Sequence, residues 1–290
     1  MVVKRKKKMR NGDMVSRILF LCASLSAVIV FLITAFLLRE GIRVLNPGFL
    51  FGMTWSPHRG LFGIFPTIVG TLCVVAGAVI IATVIGIPSA IFLSEFSPFW
   101  VRNIVKSSVE VIVGIPSVVI GFFGLTVLVP FIRDNVGGRG ESILAGWIVL
   151  AFMILPNLIT IAEDSLRAVP KSYREASLAL GATKWQTIRN VVLPSASSGI
   201  RAALVLGVGR AMGETMAVLM VVGNPETPWI PTGILDRVRM LTSTIAIEFS
   251  YAEWGSTHQH ALFAIGVVLF LMVTALNLTA SFVIRRKNIQ

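Results

Sequence analysis

Cysteine, histidine and acidic side chains are scarce in this 290-residue chain, and each shortage removes a class of function. Cys22 and Cys73 both fall in apolar runs, carry no redox message and define no disulfide. Of the three histidines, His258 and His260 stand in "THQH", two residues apart on a loop, a spacing that reads as solvated side chains and not as a metal site. Glu163 and Asp164 read as a solvated face at a helix end. No Ser–His–Asp, Cys–His or paired-carboxylate constellation emerges. The G-x-x-x-x-G-K-[ST] loop is missing, so the chain is not itself a P-loop ATPase. No segment is low in complexity, no strong repeat is visible, and nothing has the makings of an independent soluble enzyme domain.

What is abundant is hydrocarbon. The chain is 55% hydrophobic and 14% charged, with a mean hydropathy of +0.82, more apolar surface than a soluble domain can hide. Six runs are long enough to cross a bilayer: 18–38, 67–93, 109–131, 143–161, 201–222 and 263–284, the second interrupted by Pro66, Gly86 and Pro88. The expected fold is therefore an all-α integral membrane protein with about six transmembrane helices. Its expected divisions are a basic tail at 1–17, a first span with an outer loop at 18–66, a core at 67–286 and a short tail at 287–290. The first run lacks a small-x-small cleavage site before Arg39 and reads as a retained anchor. Eighteen Lys and Arg fall on the side of the termini and seven on the other, which predicts cytoplasmic termini and explains most of the +12 net charge without a nucleic-acid partner.

One run is not purely apolar. "GVGRAMGETMAVLMVV", residues 207–222, carries Arg210 and Glu214 one helical turn apart, where they can pair. Arg210 is too deep to snorkel, and charges at a helix centre cost about 2.5–3.5 kcal/mol each unless a partner or water receives them. Two readings stay open. The pair is an internal ion pair that fixes packing, although desolvation offsets most of its attraction. Alternatively it lines a polar route at mid-membrane depth, where the arginine fork suits an oxyanion and the carboxylate suits a guest that also donates, as protonated phosphate does. Gly207, Gly209, Ala211, Gly213 and Ala217 allow a helix or a solute to approach closely.

The stretch between the fourth and fifth spans, 162–200, contains "SYREASLALGATKWQTIRNVVLP". Ser172 with Glu175 and Thr183 with Gln186 each fit a capping box, Gly181 is the natural stop between them, and Pro194 is expected to end the second helix. Tyr173, Ala176 and Leu180 line one face of the first helix, and Trp185, Ile188 and Val192 one face of the second. So short a unit must dock, either on this chain's own spans or on a partner. Elsewhere, "GIPSVVIG" at 114–121 predicts a kink, Pro156 and Asn157 loosen the fourth span, and 234–255 is expected to hold an amphipathic outer helix.

These residues carry a resemblance. "REASLALGATKWQTIRNVVLP", 174–194, resembles the EAA loop of ATP-binding-cassette importer permeases, with Ser177 at the third motif position in place of Ala. "IPSVVIG" at 115–121 and "GRAMGETMAVLMVVGN" at 209–224 resemble the phosphate-specific permeases, the second stretch being closer to their C-type subunit. The resemblance covers about residues 60–286. It implies a type I importer: a homologous A-type permease chain completes the pathway, two ATP-binding-cassette ATPases dock on the EAA loops, and an external binding protein delivers inorganic phosphate. It implies no cofactor on this chain, with ATP and magnesium on the ATPases. By motif, Glu175, Ala176 and Gly181 belong to the ATPase-coupling region near 171–194; motion of the ATPases is then expected to reach the spans through Arg167, Tyr173 and the following helix. Arg210 and Glu214 match the charged pair implicated in phosphate passage. The alternatives are a permease for sulfate or molybdate, an ATP-independent channel or ion-coupled carrier, and a scaffold that moves nothing.

Overall fold

The computed structural model describes the backbone of residues 2–286 and the side chains of residues 14–279. The expected tail 287–290 lies outside them. Six helical spans long and apolar enough to cross a membrane are present among the described residues, as the hydropathy predicts. Helix α1 (Val2–Gly41) is continuous from the basic tail into the first span. A short α2 (Pro47–Phe51) and a hairpin of β1 (Trp55–Ser56) with β2 (Leu61–Phe62) lead into α3 (Phe65–Glu95), which runs through Pro88. α4 (Phe99–Gly114), α5 (Ser117–Phe123) and α6 (Val129–Asn135) follow, then α7 (Ile143–Arg167), continuous through Pro156. The loop helices α8 (Lys171–Ala179) and α9 (Lys184–Thr187) precede α10 (Leu193–Gly213) and α11 (Met216–Val221). A helix α12 (Leu241–Glu248) forms within the 234–255 segment as expected, but it is not amphipathic, with Leu241, Thr242, Ser243, Thr244 and Glu248 all buried, and it precedes the last span in α13 (Thr257–Arg286).

Three boundaries differ from the hydropathy reading, each for a local reason. The third span runs over Ser117–Asn135 and not 109–131. Pro116 lacks an amide and disfavours helix at Ile115, whose φ −72° and ψ 127° are extended, so α4 separates as an amphipathic helix carrying Arg102, Lys106 and Glu110. Secondly, Pro194 does not end a helix. A π turn at Ile188–Val192, with the Leu193 amide donating to the Ile188 carbonyl, widens the backbone just ahead of the proline, and one helix runs from Lys184 to Gly213. The same device, Gly124–Leu128, precedes Pro130. Thirdly, the fifth span stops at Gly213 instead of continuing to 222.

The core is built where α3, α7 and α10 meet. Small residues set these distances: the Gly77 α-carbon passes so close to Trp147 that a methyl group there would lie 1.9 Å from the indole. Trp147 is fixed by its own bond, Nε1 donating to the Cys73 carbonyl at 2.8 Å. Gly77→Ala must therefore displace the indole and is expected to lower stability by about 1–3 kcal/mol, the range for overpacking. Denaturant unfolding in detergent followed by tryptophan emission measures it, and an unchanged midpoint contradicts this packing. α1 lies against α13 on the outside of the bundle, with Gly41 against Ala264 and Phe36 edge-on to Phe263 at 5.5 Å.

Residues 42–64 and 223–256 form a cap over the end of the bundle opposite α8 and α9. Its own apolar core includes Phe49, Trp55, Ile64, Leu241 and Leu262. Within it, Asp236 accepts the amides of Thr232 at 2.7 Å and Gly233 at 2.8 Å, which holds its carboxyl below the ordinary aspartate range. The cap is also stapled by charge. Glu248 is buried and accepts from Trp55 Nε1 at 2.9 Å and from Arg239, and it meets His258 Nε2 at 2.6 Å. His260 Nδ1 lies 3.2 Å from Glu40. The two histidines expected to be solvated are each held against a carboxylate, because the loop that carries them folds back as the first turn of α13.

Candidate functional site

Arg210 and Glu214 flank a break in the helix and do not form an i,i+4 pair on a continuous helix. Gly213 ends α10, Glu214 is extended at φ −71° and ψ 127°, and α11 starts two residues later. Arg210 therefore stands in the last turn, about 4.5 Å from the helix end at 1.5 Å per residue. No ion pair joins the two side chains among the described residues. The Glu214 carboxylate instead accepts the Ala217 amide at 3.3 Å, capping α11, and its carbonyl accepts from Thr242 Oγ1 at 3.2 Å. Both side chains are half-buried, and Gly213 between them is exposed.

The depth of this break follows from its neighbours. Gly207 packs against Ile154, close to the middle of α7, so Arg210 lies one turn from mid-span. Gly121 on α5 rests on the backbone of Ala217, where a methyl group would lie 2.7 Å from the Ala217 α-carbon. The predicted kink thus serves to seat α5 against α11. Non-helical backbone at such depth is tolerated where it is buried in protein or lines water. Asn277, exposed on α13, lies alongside: its Oδ1 is 4.0 Å from the position of a Gly209 β-carbon. Sequence reading missed it, although a lone asparagine in an apolar run is a visible signal.

The loop between α7 and α10 folds as the expected helix–glycine–helix. Gly181 has φ +82°, which only glycine adopts without strain. The Thr183–Gln186 capping box forms, with bonds of 3.2 and 2.8 Å. The Ser172–Glu175 box does not, because Pro170 starts α8 early and places Ser172 inside its first turn. Ile188 and Val192 are buried in this chain's own core, whereas Tyr173, Leu180 and Trp185 are 53%, 90% and 56% exposed. Glu175 and Ala176 also face outward. The apolar face predicted from the sequence is therefore divided: the π turn Ile188–Val192 ahead of α10 turns inward, and the α8–α9 corner is left uncovered.

Two charge networks that sequence reading missed hold this corner. Arg174 Nη2 donates to Glu95 Oε1 at 2.7 Å and to the Leu166 carbonyl at 2.8 Å, and Nη1 donates to the Val169 carbonyl at 2.6 Å. This ties α8 to the ends of α3 and α7. Ser177 and Thr187 hydroxyls meet at 2.9 Å across the glycine turn. Glu163, read above as a solvated face, is instead fully buried among Lys106 at 2.6 Å, Arg102 at 3.3 Å and Arg167 at 3.6 Å, while its neighbour Asp164 stays exposed and meets Lys106 at 2.7 Å. Burial alone would lower the Lys106 pKa, but the hydrogen bonds and charges of Asp164 and Glu163 outweigh it and raise the pKa. A carboxylate at a span end has no sequence signature that separates solvated from buried; only the placement of α4 decides.

Residues 82–288 match the family of binding-protein-dependent transport system inner membrane components. The chain belongs to that family. Among curated relatives, the probable ABC transporter permease protein YqgH of Bacillus subtilis is 43% identical over 227 residues, 77% of this chain and 73% of its own length. The phosphate transport system permease protein PstC of Mesorhizobium japonicum is 34% identical over 267 residues, covering 85% and 81%. That of Xylella fastidiosa is 31% identical over 293 residues, covering 92% and 89%. A chain of the MetNI methionine ABC transporter in an inward-facing form superposes with a TM-score of 0.62 at 21% identity, over 80% of this chain and 99% of that one. A chain of a bacterial alginate ABC transporter does so at 0.62 and 15%, over 92% and 94%. At these identities the superpositions establish the fold, that of an ABC type I importer permease. The permease is thus a multi-pass inner membrane component, of a kind that works with an ATPase and a substrate-binding protein.

Proposed function

We propose that this permease forms half of the membrane pathway of an ATP-driven importer of inorganic phosphate. The observation that carries the reading is the break at Gly213–Glu214. It leaves the Arg210 guanidinium near mid-span, outside any ion pair among the described residues, on a surface shared with exposed Gly213 and Asn277. A charge there needs water, a solute or a second chain to receive it. The names of the PstC relatives support phosphate as that solute, and a homologous A-type permease chain would close the open face. In this reading both termini and the 168–184 corner are cytoplasmic, as the basic bias favours. Residues 67–286 are then the permease core, behind a first span and outer loop at 18–66. One of two ATPases docks on the corner, using exposed Tyr173, Glu175 and Ala176, with Gly181 setting the turn, and the other docks on the partner permease chain. ATP and magnesium bind those partner chains and an external binding protein presents phosphate.

The test is uptake of labelled phosphate by proteoliposomes holding both permease chains and the ATPase, with the binding protein outside and ATP inside. Uptake that requires ATP supports the proposal. Uptake driven by an ion gradient without ATP, or of sulfate in preference to phosphate, overturns it. Arg210→Lys keeps the charge but loses the fork. A charged hydrogen bond contributes about 1.5–3 kcal/mol, so uptake should fall roughly tenfold or more with the complex intact. Unchanged uptake would restrict Arg210 to packing.

A further inference from the structure

Beside the α8–α9 corner, an open cavity of about 430 Å³ lies between the ends of α3 and α7 and the starts of α4 and α8. Arg102, Arg167, Lys171 and Arg174 line it against one carboxylate, Glu95. Counting the ion pairs behind it adds Lys106, Glu163 and Asp164, and cations still outnumber carboxylates five to three. The excess has donors to offer. Arg102 meets Glu163 through Nε and Arg167 through Nη1, which leaves the other guanidinium N–H groups of both side chains for an occupant. Lys171 is exposed and is in no ion pair among the described residues. The carbonyls at the end of α7 that would repel an anion, Leu166 and Val169, are already covered by Arg174.

The level of this pocket is fixed by its walls. Glu95 and Arg167 end two of the membrane spans, so it sits where hydrocarbon gives way to headgroups. α4 beside it exposes Phe99, Trp100 and Ile104, the amphipathic pattern of an interfacial helix. Basic pockets between membrane helices at that level take phosphate groups, which guanidinium forks grip in pairs and lysine holds as a point charge. We infer that Arg102, Arg167 and Lys171 form a binding site for a phosphate-bearing anion at the headgroup level, separate from Arg210. The anion is supplied either by an anionic lipid or by free phosphate, and its occupancy bridges the start of α4 and the end of α7 to the start of α8.

The experiment reads binding to the full-length chain in detergent, so it is independent of any transport assay. One arm titrates phosphatidylglycerol, with phosphatidylcholine as the neutral reference, by native mass spectrometry. The other measures radiolabelled orthophosphate by equilibrium dialysis. Arg167→Gln/Lys171→Gln should weaken binding about tenfold or more in one arm at least, as loss of charged hydrogen bonds requires. Arg59→Gln, on the opposite cap, should leave both arms unchanged. Loss in the lipid arm alone assigns the site to a headgroup, and loss in the orthophosphate arm alone to free phosphate. If the double variant fails to insert, Lys171→Glu, altering one exposed side chain, decides. The inference is overturned if the wild-type chain shows neither a preference over phosphatidylcholine nor orthophosphate binding. It is equally overturned if the variants bind like wild type, or if Arg59→Gln loses as much.

Discussion

Glu248→Ala is expected to destabilise the cap by about 3–5 kcal/mol, the range for removing one partner of a buried ion pair. Glu248 and Arg239 each have side chains only 4% exposed. Without the carboxylate, Arg239 keeps its charge while almost fully buried at the wall of a cavity, with the Glu226 carbonyl at 3.2 Å still accepting from it. Trp55 Nε1 loses its acceptor at 2.9 Å, and His258 loses the contact that ties the start of α13 to α12. The damage is therefore joint: the hairpin, α12 and α13 are all fastened to this one carboxylate. Replacing both charges by apolar residues of similar volume, Arg239→Leu with Glu248→Leu, should recover most of the loss, since no orphan charge remains. Denaturant unfolding in detergent, read from tryptophan emission, separates the variants. Equal midpoints for Glu248→Ala and wild type would mean that water already reaches Arg239.

The reason these networks escape sequence reading is visible in the residues themselves. Hydropathy finds the spans because crossing hydrocarbon demands a long unbroken run, and Gly181 and the Thr183–Gln186 box are legible because capping is a local contract. Pro194 misleads because its effect depends on whether the preceding turn can widen, which Ile188–Val192 does. Arg210 and Glu214 are conspicuous in an apolar run, yet the helix break between them follows from no strong breaker: glycine permits it and the Ala217 amide rewards it. Glu248 with Trp55, Glu163 with Lys106 and Arg174 with Glu95 join positions 193, 57 and 79 residues apart. Each partner looks like an ordinary surface residue until the helices are placed, so only the fold identifies it.

Arg174→Ala is expected to uncouple ATP hydrolysis from uptake. The guanidinium, carried on α8, reaches α3 through Glu95, α7 through the Leu166 carbonyl and the turn after α7 through the Val169 carbonyl. In the proposed importer, force enters at the exposed face of α8 and must reach the spans. The helix itself is short, and a nine-residue helix does not hold its position by backbone bonding alone. Truncation removes the charged donor from the Leu166 and Val169 carbonyls and from the nearly buried Glu95, which keeps Ser94 Oγ at 3.1 Å, at about 1.5–3 kcal/mol for each charged bond lost. α8 can then shift without moving α3. Hydrolysis by the assembled complex should persist while phosphate moved per ATP falls about tenfold, on the same free-energy scale. Arg174→Lys restores the charge without the fork and should recover only part of the coupling. Glu95→Gln should resemble Arg174→Ala, and the two combined should lose little more than either, since they break one link. If the ratio of uptake to hydrolysis were unchanged in Arg174→Ala, motion would have to pass through the α9–α10 helix instead.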